Sequence, residues 1–201
     1  MEANRWTRLA AALLLLLCST RGARAQAPPQ AVEHVRTDSP PLRRAIASGV
    51  ERSPTFRRIV DRLEQSDVIV EVQCARFAES TLAGRTVLLS AQPGVRYVLV
   101  EIACSLTSPT SLYMIGHELR HALEIADAPW VVDGPTLAEL YRDIGFPTCG
   151  LNTKTFGKFE TAAALDAGER VHHELFHPGD PARRVAAGAT TVLTEVVTNT
   201  K

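Results

Sequence analysis

One segment, residues 110–127, restricts the fold of this chain more than any other. Its apolar side chains recur at helical spacing and fall on one face of a helical wheel. That face carries Leu112, Ile115, Leu119, Ala122, Leu123 and Ala126. A helix with a continuous apolar face must bury that face against another layer of the fold. Because the preceding segments read as strands, we expect this helix to pack on a sheet.

The segments around this helix predict a small α+β domain. Ser53 and Pro54 are typical of a helix start. Alternating side chains predict a strand within 67–77. Residues 85–90 and 95–104 are predicted as two further strands, with a turn between them at Pro93 and Gly94. Since short connections do not allow parallel crossovers, we expect a small antiparallel sheet. Further helices are predicted over 41–52, after Asp133 to about Ile144, and over 157–176; the last twenty residues are an edge strand or a tail.

The first 25 residues have the pattern of a secretory signal peptide. Arg5 and Arg8 precede an apolar run over 9–17, and Ala23 and Ala25 occupy the positions that a signal peptidase reads. The run is too short to cross a bilayer, and no later segment is long and apolar enough to do so. We therefore expect a secreted or periplasmic protein. The predicted organisation is signal peptide 1–25, linker or N-terminal extension 26–52, catalytic domain 53–178 and C-terminal tail 179–201.

Charge argues against nucleic acid as a partner. The chain has 22 Lys and Arg against 22 Asp and Glu. Residues 1–25 hold four Arg and one Glu, so the remainder carries 18 basic and 21 acidic side chains. Proteins that bind nucleic acid usually need a basic excess to neutralise phosphates. This charge balance therefore argues against a nucleic-acid-binding protein.

Three cysteines follow the predicted signal peptide. Cys74 and Cys104 both lie in strand-like segments and could pair, whereas Cys149 lies apart. None has the C-x-x-C spacing of a redox or zinc site. The favoured interpretation is that they are buried, inert thiols.

The strongest chemical signal is H-E-x-x-H, from His117 through Glu118 to His121. Histidines four residues apart on a helix lie one turn apart on one face, so both can bind one metal ion. Glu118 can then reach a water at the metal as general base and acid. On the wheel both histidines lie opposite the apolar face, as a pair lining a cleft would. The motif predicts a Zn²⁺ cofactor; the plain alternative is two solvent-facing histidines.

Glu160 is the predicted third zinc ligand. On a helix over 157–176 it falls within an apolar face that includes Phe159, Ala163 and Ala167. A carboxylate in an apolar face is costly unless a cation compensates its desolvation, and zinc does so. The alternative is a structural carboxylate paired with an arginine, for example Arg120 or Arg170.

Other side chains compete for the third position or for a supporting role. Glu124 lies one turn past His121 and fits better as a group that orients a ligand. Glu139 follows His121 by 18 residues, but its wheel position favours solvent. Further candidates for a ligand or an oxyanion donor are histidines and tyrosines near the motif or the chain's last helix. They are Tyr113, Tyr141, His172, His173 and His177.

The motifs together resemble a known family. Over about residues 53–176 the chain is similar to the minimal gluzincin-type zinc metallopeptidases, which are short secreted bacterial hydrolases. The similarity lies in the order of a small sheet, a helix with G-H-E-L-R-H-A-L-E and a later helix with F-E-T-A-A-A. The resemblance implies a zincin-like core with His117, His121 and Glu160 as zinc ligands and Glu118 as general base and acid. The family's usual spacing lies nearer Glu139, whereas the wheel favours Glu160.

The resemblance also bears on the partner. It implies a peptide or protein substrate, held as an extended chain by an edge strand of the sheet, for which 95–104 is the candidate. We expect an exported zinc peptidase. The alternative is a catalytically inactive zinc-binding or adaptor module of the cell envelope.

Overall fold

The computed structural model describes residues 33–78, 82–106, 108–147, 159–177 and 193–197. The described residues belong to one compact unit that begins at Glu33. The predicted signal peptide lies outside the described residues, as do Cys149 and the predicted tail apart from 193–197. The helices of the described part are α1 (Pro40–Arg52), α2 (Pro54–Leu63), α3 (Ser108–Asp127), α4 (Gly134–Ile144) and α5 (Ala162–Phe176).

The described strands form a five-stranded sheet and a two-stranded one. They are β1 (Val35–Arg36), β2 (Val68–Ala75), β3 (Leu82–Gln92), β4 (Val95–Ala103), β5 (Phe146–Pro147), β6 (Phe159–Glu160) and β7 (Leu193–Val197). The larger sheet has the order β1-β2-β4-β3-β7, and β5 pairs with β6. With α1 to α5 this is an α+β fold with a small mixed sheet.

The strand pairing corrects the expectation of an antiparallel sheet. Within the larger sheet only the β3–β4 hairpin is antiparallel, whereas β1–β2, β2–β4 and β3–β7 are parallel. β2 and β4 can pair in parallel without a helical crossover, because β3 lies between them in the sequence and runs in the opposite direction. β4 is therefore an interior strand. The prediction that 95–104 is an edge is wrong, because β2 and β3 pair with its two sides.

Local sequence signals account for most helix boundaries. The Ser53 side chain accepts a hydrogen bond from the Phe56 amide, and Pro54 opens α2, as predicted. Asp133 caps α4 through the Thr136 amide. The predicted helices over 41–52 and 110–127 are confirmed as α1 and α3, within two residues at each end. No helix among the described residues is long and apolar enough to cross a membrane.

The start of α5 differs from the prediction. The sequence predicts a helix from residue 157, but α5 begins at Ala162, and Phe159 and Glu160 form β6. Thr161 is the reason, because its hydroxyl accepts a hydrogen bond from the Ala164 amide and so caps the helix. Glu160 consequently precedes the helix and does not lie on one of its faces.

Helix α3 is the central element of the fold. One side contacts β2, β3 and β4, and the other sides contact α2 and α5. Leu119 and Leu123, from the predicted apolar face, belong to the same buried cluster as Val98 and Val100 of β4. The expectation that α3 packs on a sheet is confirmed.

A buried arginine of β4 holds the C-terminal end of α3. The Arg96 Nη1 atom donates to the carbonyl oxygens of Ile125 (2.6 Å) and Ala128 (2.8 Å). Nε and Nη2 of Arg96 donate to the two carboxylate oxygens of Asp67, at 2.8 and 2.6 Å. The same two carbonyl oxygens also accept from the backbone amides of Ala128 and Val131, so Arg96 adds a charged donor to them and ties α3 to the sheet.

A disulfide joins Cys74 of β2 to Cys104, which follows β4, across a Cα–Cα distance of 5.0 Å. The interpretation of these two cysteines as free buried thiols is therefore wrong. The parallel register explains the pairing, because Cys74 lies opposite Ile102 and the Cys104 amide donates to the Ala75 carbonyl.

Candidate metal centre

Helix α3 presents His117 and His121 on one face, with ring centroids 5.0 Å apart. The wheel correctly separates them from the face that packs on the sheet, but both are fully buried. The reason is α5, which approaches this side of α3 closely. A Cβ atom on Gly168 would lie 3.3 Å from the His117 Cβ and 2.9 Å from the Tyr113 ring. Glycine at 168 therefore permits the two helices to pack over the histidines.

Glu160 brings its carboxylate between the two imidazoles. Its Oε2 atom lies 3.2 Å from His117 Nε2, and its Oε1 atom lies 3.2 Å from His121 Nε2. The backbone amide of Thr161 donates to Oε1 at 2.7 Å and fixes the carboxylate. The residue that the sequence singled out is thus in the cluster, although the helical-wheel argument for it does not apply.

The cluster has the dimensions of a metal site. The ligand atoms of His117, His121 and Glu160 all lie within 4.8 Å of one another, and all three residues are buried. In a tetrahedral site with metal–ligand bonds of about 2.0–2.1 Å, neighbouring donor atoms lie about 3.3 Å apart. The two 3.2 Å contacts match that spacing. These three residues could hold a metal ion.

Electrostatics also fit a cation at this position. Burial lowers the pKa of His121, but its contacts with Glu124 and Glu160 outweigh burial and raise that pKa to about 10. Burial raises the pKa of Glu160, but its contacts with His117 and His121 lower it well below the ordinary value. The carboxylates therefore favour positive charge between the two histidines, which a divalent cation supplies.

Glu124 supports His121 from the side away from the cluster. Its Oε2 atom lies 2.9 Å from His121 Nδ1, and its Oε1 atom accepts a hydrogen bond of 2.7 Å from the Thr161 hydroxyl. Tyr141, also buried, places its hydroxyl 3.4 Å from His121 Nδ1. A carboxylate at Nδ1 fixes the tautomer that leaves Nε2 free to bind a metal.

Glu118 lies beside the cluster with its two oxygens in different surroundings. Oε2 accepts a hydrogen bond of 2.7 Å from the Thr86 hydroxyl. Oε1 is buried, and no described residue donates a hydrogen bond to it. Burial raises the pKa of Glu118 and outweighs the opposing effects of His117 and His121. Such a carboxylate is suited to accept and return a proton.

The remaining candidates lie outside the three-residue cluster. Glu139 is exposed. Tyr113 is half-buried with its ring centroid 6.4 Å from that of His117, and burial raises the pKa of its hydroxyl. The exposed His172 packs edge-on against Tyr113, at 6.3 Å. His173 stacks on His177 at 4.9 Å.

Sequence reasoning missed two threonines that contact the site. Thr161 directly precedes three alanines, which is a cap signal that could have placed the helix start after Glu160. Thr86 lies in a strand with no distinguishing pattern, and nothing in the sequence connects it to Glu118. Tyr141, one of the candidate oxyanion donors, is buried and contacts His121.

Comparison with known proteins adds no relative: no family model, no curated protein and no solved structure matches this chain.

Proposed function

We propose that this chain is an exported zinc metallohydrolase of the gluzincin type that cleaves peptide bonds. One observation carries the proposal: the buried carboxylate of Glu118 lies beside a three-donor cluster formed by His117, His121 and Glu160. Glu124, the other buried carboxylate beside the cluster, hydrogen-bonds His121, whereas Oε1 of Glu118 has no hydrogen-bond donor among the described residues and can accept one from a water.

The donor set favours zinc. Two imidazole nitrogens and one carboxylate oxygen are ligands that Zn²⁺ accepts in tetrahedral geometry, and catalytic zinc sites keep the fourth position for water or substrate. Mg²⁺ and Ca²⁺ prefer sites built from oxygen ligands alone. Because two of the three donor atoms in this cluster are nitrogens, zinc suits the site better than these two ions.

The proposed chemistry divides between the metal and Glu118. When bound, zinc lowers the pKa of a coordinated water towards about 7 and polarises a substrate carbonyl. Glu118 accepts the proton of the attacking water at Oε1, the oxygen that no described residue occupies with a hydrogen bond. Glu118 then returns this proton to the leaving amine. Glu124 holds His121 in the tautomer that binds through Nε2.

Two features support export. Residues 1–25 carry the signal-peptide pattern. The Cys74–Cys104 disulfide is typical of proteins in oxidising compartments and is rare in the cytosol. We accordingly place the protein outside the cytosol, in the periplasm or the medium.

A second candidate function is a zinc-binding module without turnover. Burial favours it, because His117, Glu118 and His121 are each 0% exposed and Glu160 is 3% exposed. In that case zinc would only tie β6 to α3, and Glu118 would have no chemical role. The two candidates differ in whether zinc supports hydrolysis.

Metal removal tests the proposal. Fluorescently labelled casein, which offers many unfolded peptide bonds, is incubated with the full chain before and after dialysis against dipicolinate. We expect chelation to lower hydrolysis at least about 100-fold and added Zn²⁺ to restore it, because the metal supplies both water activation and carbonyl polarisation. Hydrolysis that survives complete zinc removal would contradict the proposal. A zinc-loaded chain that cleaves nothing would favour the module.

A further inference from the structure

Strand β3 contributes two residues to the surroundings of Glu118. Gly84 and Thr86 are two positions apart, so they lie on the same face of the strand, and both are buried beneath α3. Arg85, between them, points to the opposite face and pairs with Glu101 of β4. β3 thus presents a small side-chain-free position and a hydroxyl group, side by side, to the same carboxylate.

The two positions act on different oxygens of Glu118. The Thr86 hydroxyl lies 2.7 Å from Oε2 and 3.2 Å from the Glu118 carbonyl oxygen, so the shorter contact is with the side chain. At position 84, a Cβ atom would lie 2.4 Å from Oε1. Real Cβ atoms do not come so close, so any side chain at position 84 would displace the carboxylate.

We propose that β3 positions the Glu118 carboxylate for proton transfer, with Thr86 as the positioning residue and Gly84 as the space for Oε1. The proposal rests on the proposed hydrolase function. A carboxylate has two equivalent oxygens, and rotation would exchange them. The Thr86 hydrogen bond occupies Oε2, whereas Oε1, which lies over Gly84, has no hydrogen-bond donor among the described residues. Oε1 is then the proton acceptor.

The kinetic test uses two substitutions of Thr86 and one matched control. Thr86→Val removes the hydroxyl at nearly constant shape, and Thr86→Ser keeps it. Thr55→Val removes another buried threonine hydroxyl that donates to a glutamate, Glu174, at 2.7 Å and lies outside the cluster. On labelled casein we expect Thr86→Val to lower kcat about 10- to 100-fold, with KM and zinc content unchanged. Thr86→Ser and Thr55→Val should retain kcat within about threefold.

A second readout does not depend on activity. Thermal unfolding of the wild type, Thr86→Val, Glu118→Ala and the double variant forms a double-mutant cycle. If the hydroxyl bonds the carboxylate, the second substitution should cost less once the first is made. We expect the losses in Tm to be non-additive by about 2–4 °C, which is the shift that a single such interaction gives in a domain of this size.

The two readouts separate the possible failures. Additive Tm losses would overturn the contact between Thr86 and Glu118. Non-additive losses with an unchanged kcat in Thr86→Val would overturn the positioning role, as would a kcat that Thr86→Ser fails to retain. If the zinc-loaded wild type cleaves no casein, the hydrolase function itself fails, and the positioning role fails with it even if the Tm cycle confirms the contact.

Discussion

Replacing Glu118 with glutamine is expected to lower kcat for casein hydrolysis about 100- to 10,000-fold, the range that a general acid–base group contributes. Glutamine keeps the size of the side chain and can still accept a hydrogen bond from Thr86, but it cannot take a proton from water. Because Glu118 is not among the three cluster ligands, zinc content should be the same as in the wild type. Steady-state kinetics and metal analysis on the same preparation measure both quantities.

Glu139→Gln is the control for that substitution. It makes the same chemical change at an exposed glutamate, and we expect its kcat to match the wild type. If Glu118→Gln loses its zinc, the assignment of Glu118 as a base rather than a ligand is contradicted. If Glu118→Gln retains full biological activity, the zinc-binding module becomes the better account.

Replacing Arg96 with methionine is expected to lower the free energy of unfolding by about 3–5 kcal/mol, because several hydrogen bonds from a buried charged donor are lost and each contributes about 1.5–3 kcal/mol. Arg96 is 2% exposed, and its guanidinium group bonds carbonyl groups at the end of α3 as well as Asp67. Methionine fills much of the volume but removes the charged donor, so the carbonyl oxygens of Ile125 and Ala128 keep only the backbone amides of Ala128 and Val131 as donors. Urea unfolding followed by circular dichroism measures the loss.

Arg36→Met is the matched control, because Arg36 forms a more exposed pair with Glu71 at 3.2 Å. Such pairs contribute about 0–1 kcal/mol. Equal losses for the two arginine variants at neutral pH would contradict the role of Arg96.

The stabilisation by Arg96 should also depend on pH. The hydrogen bonds from Arg96 lower the pKa of Asp67 below 3.8, so the pair stabilises the fold above about pH 4 and loses this contribution as the pH falls through the lowered pKa. The difference in the free energy of unfolding between wild type and Arg96→Met should therefore shrink at low pH.

Local signals predicted the elements well, because they depend on residues close in sequence. Ser53 and Pro54 start α2, alternation predicts β2, and the turn at Pro93 and Gly94 separates β3 from β4. Sheet order depends on contacts between distant residues, and no local pattern indicated that β2 would pair with β4 in parallel. The disulfide follows from that same pairing, which is why Cys74 and Cys104 could be suggested but not assigned.

The residues of the site also divide into those that the local sequence predicts and those that only tertiary packing brings together. His117, Glu118 and His121 follow from one turn of helix, so the motif alone could place them. The helical wheel favours Glu160 because of its apolar neighbours, but the cap at Thr161 means that Glu160 lies in β6. It therefore contacts the histidines from a strand and not from a helix face. Thr86 and Gly84 contact Glu118 only because β3 passes beneath α3. Tertiary packing creates that contact, and no sequence spacing encodes it.

The central claim is that His117, His121 and Glu160 bind zinc, and metal analysis of three purified chains tests it most directly. The wild type and Glu139→Ala should each carry about one equivalent of zinc, as a mononuclear site requires, whereas Glu160→Ala should lose it while thermal unfolding shows that it still folds. A wild type purified without chelator that contains no zinc would contradict the claim. So would the reverse pattern, in which Glu139→Ala loses the metal and Glu160→Ala retains it.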